Sequence, residues 1–197
     1  TSNVNLPDNV TLSLVSGDDI FSGELPLRRG QVVVHLAARA HVINETCSDP
    51  LTQFRSVNVG GTLNFARQAL SAGVKRFIFV SSIGVNGAVT ATTPFDESDI
   101  PQPHADYAIS KLEAEQALIE LGAKTGMSVK IIRPPLVYGP GVGANFLRLL
   151  NAVKKGIPLP LALANNKRSL IFVGNLVDAL IACGMSEQNG ERIYLID

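Results

Sequence analysis

Short apolar runs alternate with longer stretches of helical periodicity along most of the chain. Gln31 to Ala38 reads Val-Val-Val-His-Leu-Ala-Ala after one glutamine, and Arg76 to Ser82 reads Arg-Phe-Ile-Phe-Val-Ser-Ser. Val129 to Arg133 is a third such run, stopped by Pro134-Pro135. Continuous runs of this length suit strands buried on both faces. Between them, Val57 to Ala72 places Leu63, Ala66 and Leu70 on one helical face, with Gly73 closing the helix. Tyr107 to Lys124 repeats the pattern with Leu112, Ala114, Ala117, Leu118 and Leu121. Further on, the pattern predicts helices over Asn145–Lys155 and Val177–Met185 and strands over Ser169–Val173 and Ile193–Ile196. Val10 to Val15 alternates as a half-buried strand does, and the prolines at 94, 101 and 103 mark a long loop. Strands alternating with helices predict an α/β fold, a parallel sheet with helices on both faces. No domain boundary is evident before Pro140; residues 141–197, rich in Gly, Leu and Pro at their start, are expected to form a smaller lobe with elements returning to the sheet.

Composition narrows the classes. Hydrophobic residues make up 46% of the 197 and charged residues 17%, which excludes a disordered chain. Seventeen basic residues balance seventeen acidic ones, so no nucleic-acid or polybasic membrane surface is expected. No apolar run approaches the ~20 residues that span a bilayer, and Thr1 to Val10 lacks the basic start and apolar stretch of a secretion signal. Cys47 and Cys183 form no Cys-x-x-Cys pair, and the three histidines lack spaced partners, so no metal site is expected and a cytoplasmic location is the simple expectation. His35, inside a strand, is expected to be a satisfied core histidine.

The residues with chemistry gather at strand ends and helix starts. Tyr107 and Lys111 stand four apart, hence on one helical face. An ammonium beside a phenol favours the phenolate and brings a group of pKa near ~10 toward use as a base. The spacing is common, and a packed tyrosine with a solvated lysine explains it equally well. Ser81-Ser82 ends a strand, where ligands of parallel sheets sit; it either caps the following loop or bonds a reacting oxygen. Leu36-Ala37-Ala38 also ends a strand, and small residues there let a flat ligand reach the backbone. Asn58 opens a helix near Val59-Gly60-Gly61-Thr62, which alone is a cap.

Taken in order, His35-Leu36-Ala37-Ala38, Asn58-Val59-Gly60-Gly61-Thr62, Phe79-Val80-Ser81-Ser82, Tyr107-x-x-x-Lys111 and Arg133-Pro134-Pro135-Leu136-Val137-Tyr138-Gly139-Pro140 resemble the extended short-chain dehydrogenases/reductases, specifically the NAD-dependent epimerase/dehydratase family. The resemblance implies a Rossmann-like doubly wound parallel sheet over residues 1–140 and part of a substrate lobe over 141–197. It implies Tyr107 as acid/base, Lys111 as its activator and Ser82 as a holder of the substrate oxygen. NAD, with NADP as the alternative, would meet Leu36, Ala37, Ala38, Asn58, Ser81, Tyr107, Lys111, Pro134 and Leu136. The Asp18-Asp19-Ile20 turn resembles the adenine-contacting aspartate, with Asp19 and Ile20 the preferred register. A nucleotide sugar would meet Ser82, Asn145, Phe146 and Arg168, the arginine offering a planar fork to a diphosphate. Family members often dimerise through two helices, here those starting near Asn58 and Tyr107.

Departures sharpen the expectation. No Gly-x-x-Gly-x-x-Gly loop precedes Gln31, so the first βαβ unit of ~30 residues is expected to be missing, and an intact relative to be about a third longer. Ile83 and Gly84 stand where dehydratases of the family carry Asp-Glu, which speaks against elimination of water. Leu136 replaces the asparagine of many UDP-sugar epimerases. The expected function is oxidation or reduction at carbon 4 of a UDP-linked sugar, as an epimerase or a 4-ketoreductase of bacterial polysaccharide synthesis. A ketone reductase of hydroxysteroid or flavonoid type and a non-catalytic dinucleotide-binding protein are the alternatives.

Overall fold

A computed structural model describes residues 25–40, 49–90, 93–157, 167–188 and 190–196. The predicted strand at Val10–Val15, the Asp18-Asp19-Ile20 turn, His41 and Cys47 lie outside the described residues. Within them, four parallel strands form one sheet: β1 (Val32–His35), β2 (Arg76–Val80), β3 (Ser128–Arg133) and β6 (Arg192–Leu195), in that spatial order. Two more strands, β4 (Leu136–Tyr138) and β5 (Leu170–Phe172), pair in parallel apart from it. The helices are α1 (Pro50–Arg55), α2 (Thr62–Ser71), α3 (Asp106–Thr125), α4 (Ala144–Lys154) and α5 (Val173–Met185).

Alternation along the strands builds two cores. Val33, Phe77, Phe79, Val129 and Ile131 face one side and pack with Ala66 and Ala69 of α2 and Ala114 and Leu118 of α3. The alanines let α2 lie close to the sheet. Ile78 and Ile132 face the other side, against Leu176 and Leu180 of α5 and Ile171 of β5. Two cations from the sheet close the C-terminal end of α5, where helical carbonyls lack partners: buried Lys130 donates to the Cys183 and Ser186 carbonyls at 2.8 and 3.3 Å, and Arg76 to the Gly184 carbonyl at 3.0 Å. Gly122 is dictated by packing, because a Cβ there would lie 2.9 Å from the Met127 carbonyl oxygen and 3.0 Å from Val129 Cγ2.

Three differences from the pattern-based expectation have physical causes. β1 is buried on one face only: Val33 and His35 are inside, while Val32 and Val34 remain exposed, because β1 is the edge of the described sheet and the other core lies over β2 and β3. The helix expected from Val57 starts at Pro50, capped by the Asp49 carboxylate, which accepts from the Thr52 amide at 3.2 Å. It runs through a π-helical segment, Ser56–Gly61, into α2. Asp-Pro followed by helix formers was the available signal. The proline-rich stretch after β3 forms β4, because Leu136, Val137 and Tyr138 find partners in Leu170, Ile171 and Phe172, a pairing no local pattern discloses.

Candidate active site

The carboxyl ends of β1, β2 and β3 lie side by side, and the backbone stays bonded beyond the strands. The Ser81 amide donates to the Ile132 carbonyl at 2.7 Å, and the Ile83 amide to the Pro134 carbonyl at 3.0 Å. Ser82 caps a 3₁₀ turn over Ile83–Val85, its Oγ accepting from the Gly84 amide at 3.1 Å. That bond uses a lone pair and leaves the hydroxyl proton free to donate. The turn packs against the start of α3: a Cβ on Gly84 would lie 3.4 Å from Ser82 Oγ and 3.6 Å from Ala108 Cβ. The Ser82 turn thus packs on the first turn of α3, which carries Tyr107 directly before Ala108.

Tyr107 is half-buried, with Phe54 of α1 edge-on to its ring at 6.2 Å. Burial raises its pKa above the ordinary phenolic value, opposite to the lowering expected from a helical lysine neighbour. The Lys111 ammonium rests instead over the Phe79 ring of β2, 3.8 Å from its centroid. Burial lowers the Lys111 pKa to about 7, and the Glu115 carboxylate pulls the other way. His35 lies behind it. Burial, then the nearby Lys111 charge, lowers the His35 pKa to about 4. Its Nε2 lies 2.9 Å from Thr62 Oγ1, and its ring packs against Phe65, Phe77 and Phe79. His35 is therefore the satisfied core histidine the pattern suggested.

Asn58 sits fully inside, within the π-helical segment. Its Oδ1 accepts from the Arg39 amide at 2.8 Å, and its Nδ2 donates to the Arg39 carbonyl at 3.1 Å and to Ser110 Oγ at 3.0 Å. Ser110 donates in turn to the Tyr107 carbonyl at 2.7 Å. Asn58 thus ties the chain leaving β1 to the first turn of α3, with both donors engaged inside the protein.

The residues present fit a dinucleotide. Ser81 Oγ is buried at the end of β2 with no hydrogen-bond partner among the described residues, a group that a ligand can satisfy. Leu36 is 63% exposed at the end of β1, followed by the small, half-buried Ala37 and Ala38. Beyond the end of β3, Pro134 is buried and Leu136 is 43% exposed. Phe146 of α4 packs on Tyr138 of β4 at 5.7 Å, and Tyr138 on Phe172 of β5 at 5.7 Å. Asn145 occupies the first turn of α4. Arg168 is exposed, two residues before Leu170, the partner of Leu136. The structure therefore gathers Ser81, Ser82, Tyr107, Pro134 and the end of β1 in one place, with Arg168 and Phe146 flanking the β4–β5 pair.

Several residues at this site escaped the pattern. Ser110 stands inside the Tyr-x-x-Ser-Lys run, and Glu115 continues the Tyr107–Lys111 spacing by four, so the helical stripe was a usable signal. Asn86 carried none, because only loop packing brings it to Arg133, and the run containing Phe79 did not disclose its contact with Lys111, which strand and helix packing create.

Comparison with known proteins agrees with this geometry. The model of the NAD dependent epimerase/dehydratase family matches residues 24–196. A UDP-glucose 4-epimerase of Vibrio cholerae is 50% identical over 175 residues, 88% of this chain and 53% of that protein. A GDP-6-deoxy-D-mannose reductase of Pseudomonas aeruginosa is 34% identical over 141 residues, 68% of this chain and 44% of that protein. Among solved structures, a UDP-N-acetylglucosamine 4-epimerase from Methanobrevibacter ruminantium in complex with UDP-N-acetylmuramic acid superposes with a TM-score of 0.71 at 25% identity, over 84% of this chain and 54% of that one. The chain spans about half the length of the curated relatives it matches, so these exceed it by well over the third expected. With a Rossmann-like sheet, a Tyr-x-x-x-Lys helix beside its strand ends and a family match over most of its length, the chain belongs to the NAD-dependent epimerase/dehydratase family.

Proposed function

We propose that the protein oxidises and re-reduces carbon 4 of a UDP-linked hexose, as a nucleotide-sugar 4-epimerase using NAD. The observation that supports this most is the meeting of the Ser82 turn with the Tyr107 helix at parallel strand ends, in a chain so similar to a UDP-glucose 4-epimerase. Ser81, Leu36, Ala37, Ala38 and Pro134 would hold the dinucleotide, with Leu136 beside its nicotinamide and Asp19 and Ile20 toward its adenine. The nicotinamide, when bound, supplies the acceptor and donor of hydride.

The chain's own groups handle the proton and the oxygen. Ser82, whose Oγ already accepts from Gly84, donates its hydroxyl proton to the sugar O4. Tyr107, as phenolate, takes the O4 proton during oxidation and returns it during reduction. Its buried phenol needs a positive charge close by to ionise near neutrality. Lys111, turned from Phe79 toward the phenol, provides that charge. Asn58 acts by holding the helix that carries both. Arg168 would meet the diphosphate, and Asn145 and Phe146 the nucleoside side. Ile83 and Gly84 offer no acid for a leaving hydroxyl, which favours epimerisation over dehydration. The protein is further proposed to be a cytoplasmic homodimer with its substrate lobe beyond residue 140; among the described residues no helix is long and apolar enough to cross a membrane.

The test is turnover of UDP-glucose and UDP-N-acetylglucosamine by the full-length protein, followed by NMR of the carbon-4 configuration. Tyr107→Phe is expected to lower turnover by about 10²–10⁴-fold with unchanged folding. Near-normal turnover would refute the assignment. Stoichiometric NAD(H) released on denaturation is expected of an epimerase; an empty protein that consumes added NADPH would place it with the 4-ketoreductases.

A further inference from the structure

A buried ionic cluster lies behind the site and takes no part in the chemistry above. Arg133, the last residue of β3, and Glu115 of α3 are each about 1% exposed. The guanidinium bridges the carboxylate with two bonds, Nε to Oε1 at 3.0 Å and Nη2 to Oε2 at 2.5 Å. Its remaining arm, Nη1, donates to Asn86 Oδ1 at 3.0 Å. Asn86 follows the Ser82-capped turn and spends its Nδ2 on the Asp96 carbonyl at 3.1 Å, so its orientation is set from the other side as well.

Buried pairs of this kind are costly to desolvate and are often replaceable by apolar residues without loss of stability. Stability alone is therefore a weak reason for one here. Its connections suggest another. Each member sits next to one part of the site: Asn86 four residues after Ser82, Glu115 four after Lys111, and Arg133 directly before Pro134. Tyr107, Lys111 and Glu115 form one stripe along α3, one turn apart at each step.

We propose that the Arg133–Glu115–Asn86 cluster is the positioning device of this site, one guanidinium holding the Ser82 turn, the Tyr107–Lys111 helix and the Pro134 turn in a single frame. The inference rests on the catalytic roles proposed above for Ser82, Tyr107 and Lys111. Two bonds in fork geometry fix α3 against β3 in direction as well as distance, and the third arm transmits that frame to Ser82. Electrostatics adds to the geometry. The groups that reach Lys111 are His35 from β1, the Phe79 ring from β2 and Glu115 from its own helix, with Arg133 of β3 bonded to Glu115; Tyr107 lies one turn before Lys111 on α3. Of these, Glu115 holds the proton on the lysine.

The variants are Arg133→Met/Glu115→Leu, Asn86→Leu and Glu115→Gln in the full-length protein. The double variant removes both charges together and is expected to keep the urea midpoint of the parent. At equal midpoint it is expected to lower kcat about 10²-fold, as a misplacement of about 1 Å does, with KM for UDP-glucose little changed. Asn86→Leu, which leaves the ion pair in place, is expected to lower kcat in the same way. Glu115→Gln is expected to move the alkaline fall of kcat to lower pH, a shift that a purely structural pair would not produce. A double variant as stable and as active as the parent overturns the proposal. Hydrogen exchange at the Gly84 and Asn86 amides needs no substrate, so it separates this proposal from the functional one. Exchange about tenfold faster than in the parent, at equal global stability, is expected of both Leu-bearing variants, and unchanged exchange refutes the cluster's role even if no nucleotide sugar is turned over.

Discussion

Replacing Lys111 with methionine should make the folded protein more stable at neutral pH while removing its activity. The ammonium is buried in the structure, and its pKa falls from 10.5 to about 7, by desolvation first and against the pull of Glu115. Below pH 7 folded and unfolded chains both carry the proton, so the full cost of burying it applies. Between pH 7 and 10.5 the unfolded chain still holds a proton that the folded protein has released, so stability rises with pH across that window. A displacement of this size corresponds to about 4–5 kcal/mol. The expectation for Lys111→Met is a gain of up to about 4–5 kcal/mol at about pH 6 to 7, shrinking toward zero near pH 10. Urea unfolding followed by far-ultraviolet circular dichroism, on parent and variant at steps across that range, measures the gap; taking the difference cancels the other groups that titrate there. A variant less stable than the parent at neutral pH, or a gap independent of pH, would refute the account of Lys111 as a strained, buried cation.

The same linkage at His35 runs at acid pH. Its pKa is lowered from 6.5 to about 4, so the protein should lose up to about 3 kcal/mol as pH falls through that window, and His35→Gln, which cannot titrate, should flatten that part of an acid unfolding curve. Gly139→Ala should destabilise by about 1–3 kcal/mol, because the new Cβ would lie 2.5 Å from Val173 Cγ1. Adding Val173→Ala should recover the part of the loss due to Cγ1 in thermal unfolding, but not the part due to the φ of +157° at Gly139, and no recovery would show that the clash is not a cause.

Much of this protein was legible along the chain. Short apolar runs marked β1, β2 and β3 as strands, and in β2 and β3, which lie between helix layers, burial on both faces leaves little room for alternation. The Tyr107–Lys111 pair and Ser82 could be named from spacing and position, since helical periodicity and strand ends are local properties. What lay beyond local pattern depended on neighbours distant in sequence. Only the sheet shows that Val32 and Val34 lie at an edge and stay exposed. Only strand pairing turns Leu136–Tyr138 into β4. The spacing that placed Lys111 beside Tyr107 could not disclose that its ammonium lies over Phe79, because that contact crosses from α3 to β2. Nor could it show Asn58 engaged with Arg39 and Ser110. The residue types and spacings determine which groups can do chemistry. Desolvation and pairing, which exist only once distant segments are packed together, decide their charge and where they point.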